Sequence, residues 1–168
     1  MSAGGTLYLV RHAIAAERGD DWPDDTKRPL THEGAAKMRK VVTGFRQLDP
    51  QIELVYTSPL VRAIETAELL VAGLKPTPVL RPLPALAPGG QPAKVAEGLA
   101  FDREGKALAV VGHEPGLGEL AAWLIGARAA LPFRKGGVCR IDFADRPAAR
   151  GGTLIWFATP KMLRALAR

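Results

Sequence analysis

Two arginines and two histidines stand where apolar runs end. "TLYLVRHA", residues 6–13, suits a buried strand until it closes on Arg11 and His12. "KALAVVGHEPG", residues 106–116, repeats the arrangement about a hundred residues later and closes on His113. A third apolar run, "ELVYT", leads into "SPLVRA" and puts Arg62 about one turn into the next segment. Burying ionisable groups is costly, so their place at run ends needs a reason. Guanidinium groups grip phosphate oxygens in fork geometry, and helix N-termini such as those after Ser58 and Glu114 add backbone N–H groups. A neutral imidazole is a competent nucleophile towards phosphorus, and its ordinary pKa near ~6.5 leaves much of it neutral at physiological pH. Two arginines and two histidines on one edge would therefore make a receptor for a tetrahedral oxyanion.

The elements that must position them follow from periodicity. Strands are predicted at 6–11, 53–57, 106–111, 137–143 and 153–158. From Thr31, a natural N-cap, "HEGAAKMRKVVTGFRQL" places Ala35, Met38, Val42 and Phe45 on one helical face. In "SPLVRAIETAELLVAGL" Ser58 is expected to cap a helix with Pro59 at its first position, and Pro115 is expected to open a third helix that buries Leu117, Leu120, Leu124 and Ile125. Strand alternating with helix predicts an α/β sheet, parallel in large part, with the last two strands paired as an antiparallel hairpin at one side. Ligands of open α/β sheets bind beyond the carboxyl ends of the strands, which is where these runs leave Arg11, His12, Arg62 and His113. Residues 76–92 hold six prolines without a regular period and are expected to form a long ordered loop. With no repeat and no composition break, residues 1–168 are expected to form one domain.

Composition narrows the class. Hydrophobic content of 47% and charged content of 24% fit an ordinary globular protein. The single cysteine, Cys139, rules out an internal disulfide framework and favours a reducing compartment. No apolar run approaches the roughly 18 residues of a spanning helix, and "MSAGG" is not a secretory n-region, so a cytoplasmic protein without a membrane partner is expected. Net charge is +6, and its excess is C-terminal: residues 120–168 hold 9 Lys/Arg against 2 Asp/Glu, residues 1–119 hold 14 against 15. Those cations are scattered, without interleaved aromatics or a nucleic-acid module, so nucleic acid is not an expected partner. The spacing of the acidic stretch 14–28 does not supply the glycine and distal glutamate of a calcium loop. It reads as a solvated surface loop, with the alternative that it borders the site and repels small polyanions. Trp123 and Trp156 read as packing residues or surface anchors, Cys139 as a core residue, His32 as an exposed residue without a role, and Arg62 has Glu65 and Glu33 as alternative ion-pair partners.

"LVRHA", "RPLTHEG", "SPLVRAIETA" and "GHEPGL", in this order, resemble the histidine phosphatase superfamily, and the short chain without a cap insertion is most similar to its SixA-type phosphohistidine phosphatase branch. The resemblance implies a phosphoglycerate mutase-like, three-layer α/β/α sandwich. It implies His12 as nucleophile, Arg11 and Arg62 as phosphoryl ligands, and His113 as a donor to the same oxygens, with no metal and no cofactor. Arg28, Ser58 and Trp22 are further candidates for substrate contact. Ala13 stands where the family usually has glycine, and Ala85 lies where ester-cleaving members often carry an acid. A general acid gives perhaps 10²- to 10⁴-fold on a poor alkoxide leaving group and is dispensable for imidazole. The expected substrate is therefore a phosphohistidine-bearing protein of phosphorelay or phosphocarrier type. The alternatives are a small phosphorylated metabolite as substrate and, in another class, a non-catalytic phosphate-binding module.

Overall fold

The computed structural model describes residues 4–101 and 106–168. Among these, six strands build one sheet: β1 Gly5–Arg11, β2 Leu54–Thr57, β3 Val79–Pro82, β4 Ala107–Gly112, β5 Val138–Phe143 and β6 Gly152–Ala158. Five helices accompany them: α1 His32–Arg46, α2 Val61–Gly73, α3 Pro92–Gly98, α4 Gly116–Ile125 and α5 Pro160–Leu166. The strand order is β3-β2-β4-β1-β5-β6. The first four strands run parallel, and β5 and β6 join as an antiparallel hairpin at one side.

Side-chain alternation along β1 explains the layers. Tyr8 and Val10 pack with Met38, Phe45, Leu70 and Leu163 from α1, α2 and α5. Leu7 and Leu9 pack on the other face with Val95, Leu117, Leu120 and Leu124 from α3 and α4. A sheet covered on both faces reads as continuous apolar runs, which is why "LYLV" and "ALAVV" lack polar alternation. Each such side chain contributes on the order of 1.5–3 kcal/mol by burial. Trp156 packs against Tyr8 and Phe45, with ring centroids 6.0 and 6.1 Å away.

The first helix begins as expected: Thr31 Oγ1 accepts from Gly34 N at 2.8 Å. The second does not. Leu60, without a side-chain cap, precedes α2, and Pro59 lies outside it. Ser58 Oγ accepts from Leu60 N at 3.2 Å, in the turn before the helix, so the hydroxyl remains with the site.

The proline-rich segment 76–92 also departs from expectation, since β3 and a 3-10 turn, Pro84–Leu86, form inside it. As an edge strand β3 donates to β2 on one side only: Val79 N to Glu53 O and Leu83 N to Thr57 O. Pro78, Pro82 and Pro84 occupy the opposite parity, where a missing N–H breaks no ladder bond. Two seven-residue helices, α3 and α5, were not foreseen; both start on a proline, and Thr159 Oγ1 caps α5 by accepting from Met162 N.

Candidate active site

The parallel strands end together, and their register fixes the site. Arg11 pairs across from Gly112, and His12 N donates to Gly112 O at 3.0 Å, so His12 and His113 leave adjacent strands side by side. Their ring centroids are 5.2 Å apart. Gly136 clamps this turn from below: its N–H meets the carbonyls of Arg11 and His12, at a φ of 82° that disfavours a side chain. From α2, Thr66 Oγ1 accepts from Ala13 N at 3.0 Å and donates to Arg62 O at 2.7 Å. One hydroxyl thus ties the turn after His12 to the helix that carries Arg62.

Local bonding assigns the imidazole protons. His12 Nδ1 lies 2.7 Å from Ala13 O, and a carbonyl only accepts, so Nδ1 carries the proton and Nε2 keeps a lone pair. Burial pushes the His12 pKa down to about 3, opposed by the Ala13 bond and assisted by His113, Arg62 and Arg11. His113 Nε2 meets Ser58 Oγ at 2.7 Å. Ser58 already accepts from Leu60 N, and donating its own proton to Nε2 satisfies both groups, which leaves His113 Nδ1 as an N–H donor. Burial, followed by the charge of Arg62, pushes the His113 pKa down to about 4, while Asp25 opposes the shift. Both rings are neutral at pH 7.

The arginines are held but not used up. Arg11 Nη1 donates to Phe133 O at 2.8 Å. Arg62, 2% exposed, donates from Nη1 to Asp25 O at 2.9 Å and from Nη2 to Asp25 Oδ2 at 3.1 Å. The other Asp25 oxygen accepts from Arg28 Nε at 3.0 Å, and Arg28 Nη1 donates to Ala16 O. Burial works against the Asp25 carboxylate, yet the bonds and charges of Arg28 and Arg62 hold its pKa below the usual range. Among the described residues, the buried side-chain polar atoms lacking a hydrogen-bond partner are Arg11 Nε, Arg62 Nε and His113 Nδ1. An unsatisfied buried donor costs about 1–3 kcal/mol. Three such N–H groups, all on residues that perturb His12 or its neighbour, can bind an oxyanion placed against His12 Nε2.

Most residues expected here from sequence are brought together: Arg11, His12, Arg62 and His113, with Ser58 behind His113 and Arg28 beside Arg62. Trp22 is half-buried, and its backbone N–H donates to Gly19 O; among the described residues no hydrogen bond or ring contact joins it to the cluster. The ion-pair alternatives for Arg62 also fail, because Glu65 accepts from Leu30 N and Glu33 pairs with Lys37. The acidic stretch is more than a solvated loop, since Asp25 reaches Arg62. Sequence reading missed Asp25, Thr66 and the Phe133 carbonyl. Only Thr66 had a signal, lying one helical turn beyond Arg62 in "RAIET". The turn bearing Ala85 borders a small cavity shared with His113, and residues 76–92 contain no carboxylate. Glu114 is engaged by Gly118 N at 2.7 Å. No group of three or more His, Cys, Asp or Glu side chains that could hold a metal ion occurs among the described residues.

The model of the histidine phosphatase superfamily (branch 1) matches residues 7–86. An uncharacterized protein of Picosynechococcus sp. is 35% identical over 167 residues, covering 94% of this chain and 98% of that protein. The phosphohistidine phosphatase SixA of Escherichia coli is 29% identical over 165 residues, covering 95% and 99%. The chain belongs to the histidine phosphatase superfamily. By class it is a phosphatase. The structure of the protein histidine phosphatase SixA complexed with tungstate matches with a TM-score of 0.77 at 25% identity, over 93% of this chain and 97% of that one. Phosphoglycerate mutase of Bacillus anthracis matches with a TM-score of 0.73 at 18% identity, over 99% and 98%, and shares the fold. The three-layer, phosphoglycerate mutase-like architecture expected from the motifs is thus the one observed. No described helix is long and apolar enough to cross a membrane.

Proposed function

We propose that the chain acts as a single-domain, metal-independent phosphatase of protein phosphohistidine. In the first step His12 Nε2 attacks phosphorus and the substrate's P–N bond breaks, its electron pair returning to the departing imidazole. The second ring nitrogen of the substrate takes up a proton near neutral pH, so the ring leaves neutral without an acid from the enzyme. Water then attacks the phosphoryl group on His12, releasing phosphate and restoring the imidazole. Arg11 and Arg62 bind the phosphoryl oxygens, and His113 Nδ1–H completes the set. The single observation that carries this reading is the trio of unpartnered buried N–H groups around a histidine whose Nε2 lone pair is free. The tungstate bound to the related SixA, a tetrahedral oxyanion, supports the same reading.

Substrate choice rests on the missing acid. The loop beside His113 presents Ala85, and Asp25, the carboxylate bonded to Arg62, is held ionised by two arginines. Neither can protonate an alkoxide at neutral pH, whereas imidazole departs without help. The test is phosphate release by wild type and His12→Ala from a phosphohistidine-bearing protein, p-nitrophenyl phosphate and an alkyl phosphate, with and without chelator. The expected result is preference for the protein, abolished by the substitution and untouched by the chelator. Equal or better rates on the alkyl ester would overturn the substrate assignment, and loss with chelator would overturn the metal-free step.

A further inference from the structure

A groove opens beside the turn that carries His12 and runs away from it between α1 and α5. Ala13, Ile14, Gly34 and Gly136 line its mouth, and Lys37, Arg134, Lys135 and Arg164 line its walls. The groove measures about 510 Å³. Past Lys37 and Arg164 a second depression of about 540 Å³ continues along the same two helices, with Lys40 and Arg168 on its rim. No carboxylate lines either part. Lys37 pairs with Glu33 at 2.7 Å, and among the described residues none of the other five cations has an ion-pair partner. Where carboxylates are at hand they take up cations: Arg62, Arg28 and Arg18 share Asp25, and Arg140 holds Asp142 at 2.8 Å. The C-terminal charge excess, scattered in sequence, is therefore partly gathered by α5 and the 134–136 turn onto one face of α1.

We infer that this basic groove is the docking surface for an acidic face of the phosphohistidine-bearing substrate protein, seated so that its phosphorylated ring enters at His12. The inference rests on the substrate class proposed above. Like charges held together without partners repel one another and attract an anionic surface of matching extent. Arg11 and Ala13, the residues on either side of His12, line the groove, so a protein seated in it lies next to the turn that carries the nucleophile. Nucleic acid fits less well: no aromatic side chain lines the groove for base stacking, and its phosphodiesters offer no labile P–N bond at the mouth. Charges of this kind act on encounter, so they set kcat/KM and its salt dependence and leave kcat alone.

The test reverses the distal charges in Lys40→Glu/Arg164→Glu/Arg168→Glu, away from the reacting atoms, and compares an acidic phosphohistidine-bearing phosphotransfer domain with free phosphohistidine. The expected result is a loss of about 10-fold or more in kcat/KM on the protein, with kcat and the free phosphohistidine rate unchanged. The fall in kcat/KM that salt causes in wild type should flatten in the variant. An unchanged kcat/KM on the protein, or an equal loss on free phosphohistidine, overturns the inference. Titration of the unphosphorylated acidic domain onto both proteins separates the two readings. Absent turnover with salt-sensitive binding that the variant loses overturns the substrate class and supports the groove; binding identical in both proteins overturns the groove. Loss of affinity confined to a DNA oligonucleotide would assign the surface to nucleic acid and overturn it as well.

Discussion

The burial that keeps His12 nucleophilic should make the fold sensitive to acid in a pH range where carboxylates are still ionised. In the unfolded chain both histidines titrate near ~6.5. In the folded protein their values are about 3 for His12 and about 4 for His113. Below pH ~6.5 the unfolded state therefore binds up to two more protons, so stability is full above that value and falls as pH drops, until the folded rings protonate too. Each histidine contributes a slope of about 1.4 kcal/mol per pH unit. From pH 7 to 5 the pair costs roughly 4 kcal/mol, a large part of the 5–15 kcal/mol typical of a domain. Asp24, Asp25 and Glu33, whose pKa values are lowered, add their own loss only at lower pH. Urea denaturation at pH 7, 6 and 5, followed by tryptophan fluorescence, measures the loss. The His12→Asn/His113→Asn protein, which keeps polar groups in place but cannot protonate, should lose less than about 1 kcal/mol over the same range. Parallel curves for the two proteins would refute the argument that burial holds these rings neutral. Catalysis supplies an independent readout. At pH 5 an ordinary histidine is about 3% neutral, whereas His12 with a pKa of about 3 is almost entirely neutral, so the rate of phosphoryl transfer should show no fall between pH 8 and 5 from protonation of the nucleophile.

Other perturbations test single links. Ser58→Ala removes the partner that sets the His113 tautomer; kcat should fall about 10-fold with little change in KM, and an unaltered kcat would remove Ser58 from the mechanism. Asp25→Asn keeps an acceptor for Arg62 but deletes a negative charge beside the phosphoryl site. Inorganic phosphate should then inhibit about 5-fold more tightly, and weaker inhibition would mean that the carboxylate mainly orders Arg62. Ala85→Glu should speed hydrolysis of alkyl phosphates selectively, since it puts a carboxyl group on the turn bordering His113; equal effects on all substrates would contradict the leaving-group argument. Gly44→Ala would drive its Cβ into the Leu163 carbonyl oxygen, against backbone, so α5 must shift; a loss of about 1–3 kcal/mol in urea denaturation is expected, and wild-type stability would deny that close approach.

What the sequence determined by itself was the sheet apart from β3, and the four groups on its edge. Both faces of β1 and β4 are covered, so their apolar runs were continuous and the polar residues that ended them were conspicuous. Thr31 announced α1 because capping is a local interaction, completed within three residues. β3 was hidden because proline placement is legible only once one knows that the strand lies on the edge and donates on alternate residues. Ser58 misled for the same reason: a serine before a helix suits a cap or a turn equally, and His113, 55 residues away in sequence, decided its partner. Asp25 was one of four aspartates in an exposed loop, and only the folded chain brought it onto Arg62, 37 residues on. The basic groove needed the packing of α5 on α1, which gathered cations from both ends of the chain. Local propensity and burial pattern are carried by neighbours in sequence, whereas the charge and proton state of a site depend on side chains that only long-range contacts assemble.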